Sequence, residues 1–245
     1  MKRSTPSVIR GESKYCPGCG HGIFDRILAE CLEELGVAEQ AIGMIDIACS
    51  NNMTRYFHCD YIVGPHGRVA ETATGAKRVR PDKIIYGRGG DGCAYAIGLA
   101  ETLHPAVRNE NISLFIINNG NFGMTGGQMA PTTLDGQVTT SSPSGRNPEL
   151  TGHPIDVTKL MTGLPIAYLA RGSVASPRDI RETKKMVKKA LQKQIEKKGF
   201  SMVEILSPCP TNWGLTPLQS WKRIQTDVKK VYPTGEYIED GKEVQ

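Results

Sequence analysis

Ile84-Ile85-Tyr86-Gly87-Arg88-Gly89-Gly90-Asp91-Gly92, followed by the small apolar run Ala94-Tyr95-Ala96-Ile97-Gly98-Leu99-Ala100, is the stretch that decides the fold. A short apolar strand over 83–87 gives way to a glycine turn and then to a helix pattern. Glycines at a strand-to-helix turn let backbone approach a phosphate, and the amides that open the helix favour an anion. Asp91 would repel a bare phosphate. It fits if Mg²⁺ lies between them, because that ion takes one or two carboxylates together with phosphate oxygens. The next strand pattern, Ile112–Ile117, runs into Asn118-Asn119, which offers neutral oxygen ligands from the neighbouring strand end. The same glycines also fit a dinucleotide-binding turn. That turn wants an acidic residue at the end of the following strand to hold a ribose, and here the strand ends in Asn118-Asn119.

Outward from this turn, strand and helix patterns alternate. Helical spacing of Ile23, Phe24, Ile27, Leu28, Cys31, Leu32 and Leu35 ends at Gly36, and 41–47 reads as a buried strand. Residues 51–65 read as irregular and 67–79 as a helix packed closely through its glycines and alanines. The stretch 119–154 has almost no periodicity, a length of loop that is usually functional. A strand over 166–170 precedes a long helix capped by Ser176, with Pro177 at its first position and Gly199 closing it. The last strand expected is 200–206, and the last helix is 217–231. The alternation predicts an α/β fold, a parallel sheet covered by helices on both faces. One domain is expected over 1–245, with an N-terminal arm at 1–14 and a loose acidic tail at 235–245.

The 245 residues carry a formal charge of +5, and the basic excess gathers over 178–198 without interleaved aromatics. That pattern suits a solvated face or an acidic partner protein rather than nucleic acid. No apolar run approaches the length of a membrane-spanning helix, and no signal pattern precedes Tyr15, so the expectation is a cytoplasmic protein. In that compartment seven cysteines argue for metal rather than disulfides. Cys16 and Cys19 have metal spacing. Cys49 and Cys209 each follow a strand, so the four can converge at one sheet edge, holding either Zn²⁺ or a [4Fe–4S] cluster. Cys31 falls on an apolar helix face and reads as core. Cys59 has no assignment.

The ordered set Tyr15-Cys16-Pro17-Gly18-Cys19-Gly20-His21-Gly22, His66-Gly67-Arg68, Gly90-Asp91-Gly92, Asn118-Asn119, Gly123-Met124-Thr125-Gly126-Gly127-Gln128 and Ser207-Pro208-Cys209-Pro210-Thr211 resembles the thiamine diphosphate-binding beta subunit of 2-oxoacid:ferredoxin oxidoreductases. The resemblance runs from about Tyr15 to Pro233 and extends to beta chains acting on 2-oxoisovalerate and on 2-oxoglutarate. It implies the thiamine diphosphate-binding fold. It further implies that Asp91, Asn119 and the Asn121 carbonyl hold Mg²⁺, and that Gly90, Gly92, Gly123, Thr125, Gly126 and Gly127 line the diphosphate. Cys16, Cys19, Cys49 and Cys209 match the family's [4Fe–4S] ligands. His66, Asn52 and Met124 lie in segments expected to face substrate, and His21 could also reach it, though a polar residue bonding backbone is the plainer reading of either histidine.

The implied activity is oxidative decarboxylation of a 2-oxoacid to acyl-CoA and CO₂, with electrons passed through the cluster to ferredoxin. The glutamate that serves the cofactor's aminopyrimidine ring has no place in this chain. A separate alpha subunit is expected to supply that half site, alongside gamma and small ferredoxin-like subunits. Three departures stand out: Cys93 where many relatives place a second Asp, Asn121-Phe122 in place of an apolar–Tyr pair, and Ala48 where Gly often precedes the third cysteine. Two other classes stay open on the residues alone: a non-redox thiamine diphosphate decarboxylase or carboligase subunit, and a non-catalytic subunit whose cysteines hold zinc.

Overall fold

In the computed structural model, which describes residues 5–244, the alternating pattern builds one eight-stranded sheet. Six strands are parallel: β1 (Ala41–Asp46), β2 (Asp60–Gly64), β3 (Ile84–Gly90), β4 (Ser113–Asn118), β5 (Tyr168–Ser173) and β6 (Ser201–Leu206). Two more, β7 (Gly235–Glu239) and β8 (Lys242–Glu243), extend the β5 edge in antiparallel fashion, giving the order β2-β1-β3-β4-β6-β5-β7-β8. The expectation of a loose tail at 235–245 is therefore corrected over 235–244, its last residue lying outside the described residues. Tyr237 and Ile238 supply the apolar side chains that tie the tail down, and Ile238 is buried against the sheet. The purely parallel sheet expected from the alternation gains its two antiparallel strands from the same segment.

Strand alternation sorts the core into two layers. Ile84, Tyr86, Phe115, Ile117, Tyr168, Val203 and Ile205 face the helices His21–Glu34 and Pro177–Ile195. Ile85, Leu114, Ile116, Leu169 and Met202 face the opposite way, with Val69, Ala70, Ala73 and Ala106 from the helices Val69–Val79 and Leu99–Val107. Helices on both faces are what a parallel sheet requires. Each large side chain fully buried in these layers contributes about 1.5–3 kcal/mol.

The long helix starts as its sequence indicates: Ser176 Oγ accepts from Asp179 N–H at 3.1 Å and Pro177 is the first residue. It ends at Ile195, earlier than Gly199, which instead lies in the turn to β6 at φ +117°. Its lysines are neutralised within the chain: Lys184 by Glu30 and Glu34, Lys189 by Glu236 and Glu239, Lys193 by Glu239 and Asp240. Residues 51–65, expected to be irregular, contain the end of a 3₁₀ helix (Cys49–Arg55) and all of β2. β2 is an exposed edge strand, so it lacks the alternation that marks a half-buried one. The N-terminal arm is not free over its described part, since Val8 is buried and Ile9 bridges Phe57; the first four residues of that expectation lie outside the described residues. The final helix is interrupted by a π turn at Ile224–Val228.

Residues 119–154 have little regular structure, as expected, but they are pinned. Arg146 donates to the carbonyls of Ala130, Pro131, Thr133, Thr151, Gly152 and His153. Among the described residues no helix is long and apolar enough to cross a membrane.

Candidate cofactor site and cysteine cluster

The chain leaves β1 towards β2 on one side and leaves β3 towards β4 on the other. A crevice must open beyond the carboxyl ends of β1 and β3, the place where open α/β sheets bind ligands. A cleft lies there. It is lined by Asp46 at the end of β1 with Cys49 and Ser50 beyond it, His66 after β2, Gly90 at the end of β3 with 91–93 beyond it, Asn119 and 121–124 after β4, and His21.

Asp91 is the centre of this cleft. It is buried, and no cation among the described residues pairs with it. Thr132 Oγ1 and the Gly120 N–H (3.0 Å) both donate to its Oδ2. Burial dominates these bonds and pushes its carboxyl up to about 7. Beside it, the Asn119 side chain accepts from the Asn121 N–H at 3.2 Å, and the Asn119 carbonyl accepts from Asn121 Nδ2 and Trp213 Nε1. Space is open over Gly90: an added Cβ would find nothing closer than the Ile117 carbonyl at 3.9 Å. A buried carboxylate without a cation, amide oxygens at the next strand end and an open glycine cradle fit a Mg–diphosphate.

The loop after β4 folds back on itself, with Phe122 N–H donating to Gln128 O and Gly127 N–H to Phe122 O. Gly123 and Met124 thereby face the cleft. Thr125 and Gly126 stand exposed at the loop tip, and Gly127 is buried against Asn212, so these three lie away from the cleft lining. Asn52, in the 3₁₀ helix after Cys49, is half-buried and does not line the cleft either.

His66 does line it. Its Nδ1 lies 3.1 Å from Oδ1 of Asp46, a carboxylate buried at the end of β1. Cys93 completes a group whose ligand atoms all lie within 4.8 Å of one another. Gly98 lets the His66 turn reach this place, because a Cβ there would collide with the Gly67 carbonyl. The π turn at Cys93–Ile97 carries Cys93 inward. Burial and the neighbouring Asp46 carboxylate both push the Cys93 thiol up.

The four expected cysteines converge on the same rim. Each of the six pairs among Cys16, Cys19, Cys49 and Cys209 interacts electrostatically. Burial first, then these neighbours, push Cys19 up to about 12 and Cys49 to about 11. Cys209 comes into range because Gly20 packs on Ser207, Val174 and Pro208, where a Cβ would collide. Asn121 links the two centres, accepting from the Cys209 thiol at 3.8 Å and from Asn212 Nδ2 at 3.3 Å. Cys31 is core, as its helix position indicates. His21 borders the cleft but is almost fully buried with its Nδ1 against Arg88, and burial with the adjacent guanidinium holds its pKa well below the ordinary value.

Sequence reasoning missed Asp46, Thr132, Asp25 and Arg88. Asp25 and Arg88 were readable in the register, since Asp25 shares the apolar helix stripe with Leu28 and Leu32, and Arg88 alternates with Ile84 and Tyr86.

Residues 41–205 match the family described as thiamine pyrophosphate enzyme, C-terminal TPP binding domain, and the chain belongs to it. Within that class it belongs with the 2-oxoacid oxidoreductase subunits of the VorA and KorB kind. It is 39% identical over 220 residues to ketoisovalerate oxidoreductase subunit VorA of Methanothermobacter thermautotrophicus, covering 89% of this chain and 46% of that protein. It is 36% identical over 201 residues to 2-oxoglutarate synthase subunit KorB of Methanocaldococcus jannaschii, covering 82% and 70%. The fold superposes with a TM-score of 0.73 and 28% identity on 2-oxoglutarate:ferredoxin oxidoreductase from Magnetococcus marinus, solved with 2-oxoglutarate, coenzyme A and succinyl-CoA bound, over 86% of this chain and 70% of that one. The chain spans just under half the length of the VorA relatives it matches.

Proposed function

We propose that this chain is the thiamine diphosphate-binding subunit of a 2-oxoacid:ferredoxin oxidoreductase, forming acyl-CoA and CO₂ from a 2-oxoacid. The observation that carries this is a buried Asp91 with no cation partner among the described residues, set on the same sheet edge as four converging cysteines. Asp91, Asn119 and the Asn121 carbonyl would hold Mg²⁺, with Gly90, Gly92 and Gly123 beside the diphosphate. Bound there, thiamine diphosphate supplies the nucleophilic carbon and electron sink for decarboxylation.

Cys16, Cys19, Cys49 and Cys209 would hold a [4Fe–4S] cluster, which takes electrons one at a time. The likeness to a solved 2-oxoglutarate:ferredoxin oxidoreductase and to a 2-oxoacid:ferredoxin oxidoreductase beta subunit supports a cluster over zinc. Asn121, touching both centres, keeps the path between them short.

The cleft favours an apolar substrate side chain. Among the described residues its lining includes no Lys or Arg, while Phe122 and Met124 are present, so those residues bring no cation to the distal carboxylate of 2-oxoglutarate. A branched 2-oxoacid such as 2-oxoisovalerate suits it better, in keeping with the VorA relatives. The pyrimidine half site would come from an alpha subunit. The 1–245 stretch would act as one domain in a cytoplasmic complex with that subunit, gamma and ferredoxin-like chains, and ferredoxin.

The test is anaerobic purification with the partner chains, assay of iron, sulfide, zinc and thiamine diphosphate, and a 2-oxoacid panel. Iron, sulfide and thiamine diphosphate with turnover of 2-oxoisovalerate are expected. Thiamine diphosphate without iron would mean a non-redox decarboxylase, and zinc alone would sink the enzyme reading.

A further inference from the structure

We propose that Arg88 is a positioning residue for the iron–sulfur cluster and sets its reduction potential. The inference rests on the reading that the four cysteines hold a [4Fe–4S] cluster.

Arg88 is fully buried on β3, and alternation turns it towards the His21–Glu34 helix. Its Nε and Nη2 donate to Asp25 Oδ1 at 2.9 and 2.6 Å. Nη1 donates to Ser50 Oγ at 3.0 Å, and Nη2 donates also to Tyr15 Oη at 3.3 Å and His21 Nδ1 at 3.0 Å. Those partners are placed pointedly: Tyr15 precedes Cys16, His21 stands two residues after Cys19, and Ser50 follows Cys49. One guanidinium thus fixes the two segments that carry three of the four cysteines. Asp25 is held in turn by Tyr56 Oη at 2.5 Å, and Tyr15 stacks on His21 with ring centroids 4.9 Å apart.

A buried ion pair is a poor stabiliser compared with well-packed apolar residues, so its presence under the cysteine loops calls for another role. The charge supplies one. Arg88 Nη1 and Nη2 hold their N–H groups against Ser50, Tyr15 and His21, the residues beside three of the four cysteines. The guanidinium therefore presents a fixed positive group to the loops that carry the cysteines. Reduction adds one electron to the cluster, and a fixed positive charge stabilises the reduced form more than the oxidised one, which raises the potential.

The experiment is an EPR-monitored redox titration of the anaerobic complex, comparing wild type, Arg88→Lys and the double variant Arg88→Met/Asp25→Asn, which leaves no orphan charge in the core. The double variant is expected to keep its iron and sulfide and to titrate at a more negative midpoint than wild type, with Arg88→Lys close to wild type. Loss of the cluster from the double variant alone, with thiamine diphosphate still bound, would support the same role through position. A wild-type complex without iron and sulfide would overturn the cluster assignment and this inference together. An intact cluster whose midpoint is the same in wild type and double variant would overturn this inference and leave the assignment standing.

Discussion

Asp25 and Asp91 are both buried carboxylates near the carboxyl end of β3, and they are neutralised in opposite ways. Asp25 has Arg88 at 2.6 Å, and the pair is sealed inside the protein. Asp91 has hydroxyl and amide donors but, among the described residues, no cation, and it faces a cleft. A charge answered from within is architecture. A charge left for something outside to answer is a binding site, because an isolated buried ion is too costly to keep for packing alone.

Substituting each acid separates the two roles. Asp91→Ala is expected to abolish turnover and thiamine diphosphate retention while leaving the fold as stable as before, since it removes an uncompensated charge. Retained cofactor in that variant, measured on the purified complex, would end the assignment of Asp91 to Mg²⁺. Asp25→Ala is the converse. It strands Arg88 and should cost about 3–5 kcal/mol in urea unfolding. A silent Asp25→Ala would mean that water reaches the pair and that the comparison fails.

The site was legible wherever its residues are close in sequence or fixed by strand ends. Gly90-Asp91-Gly92 and Asn118-Asn119 sit at adjacent strand termini, so their meeting follows from alternation alone. Cys49 and Cys209 follow from the same rule, while Cys16 and Cys19 are marked by their spacing just ahead of the first helix. Asp25 and Arg88 were harder, because a charged residue on a helix or strand reads as solvated until its register is checked against the apolar stripe. Thr132, 41 residues from Asp91, arrives through an aperiodic loop whose path no local pattern fixes. β2 and the β7–β8 hairpin were missed because edge strands need no alternation, and a short acidic tail looks unanchored until β5 is there to pair with it.

The pH response sharpens the contrast further. Asp91's folded pKa of about 7 lies above its ordinary value of 3.8. Without cofactor, the native state holds a proton that the unfolded chain releases, so stability is greatest on the acid side and falls as pH rises through 7. With cofactor the sign reverses for binding: Mg²⁺ must displace that proton, and apparent affinity should drop by up to about tenfold per pH unit below 7. Melting curves from pH 5.5 to 8, with and without Mg²⁺ and thiamine diphosphate, measure both. Asp91→Asn should flatten the cofactor-free trend.

Asp46 provides the intermediate case and the smallest effect. It is as buried as the other two, yet its partners are the His66 ring and the Cys93 thiol, neither of them a permanent cation. Asp46→Asn keeps an oxygen that can accept from His66 and exchanges a charge-assisted bond for a neutral one. The expected cost is on the order of 1 kcal/mol, well below that of Asp25→Ala. Thiamine diphosphate should remain bound, because Asp91 is untouched, while KM for the 2-oxoacid rises if His66 is held over the cleft by this contact. Were Asp46→Asn to release the cofactor as Asp91→Ala does, two acids rather than one would answer the incoming cation. The boundary between architecture and site would then move from β3 to β1.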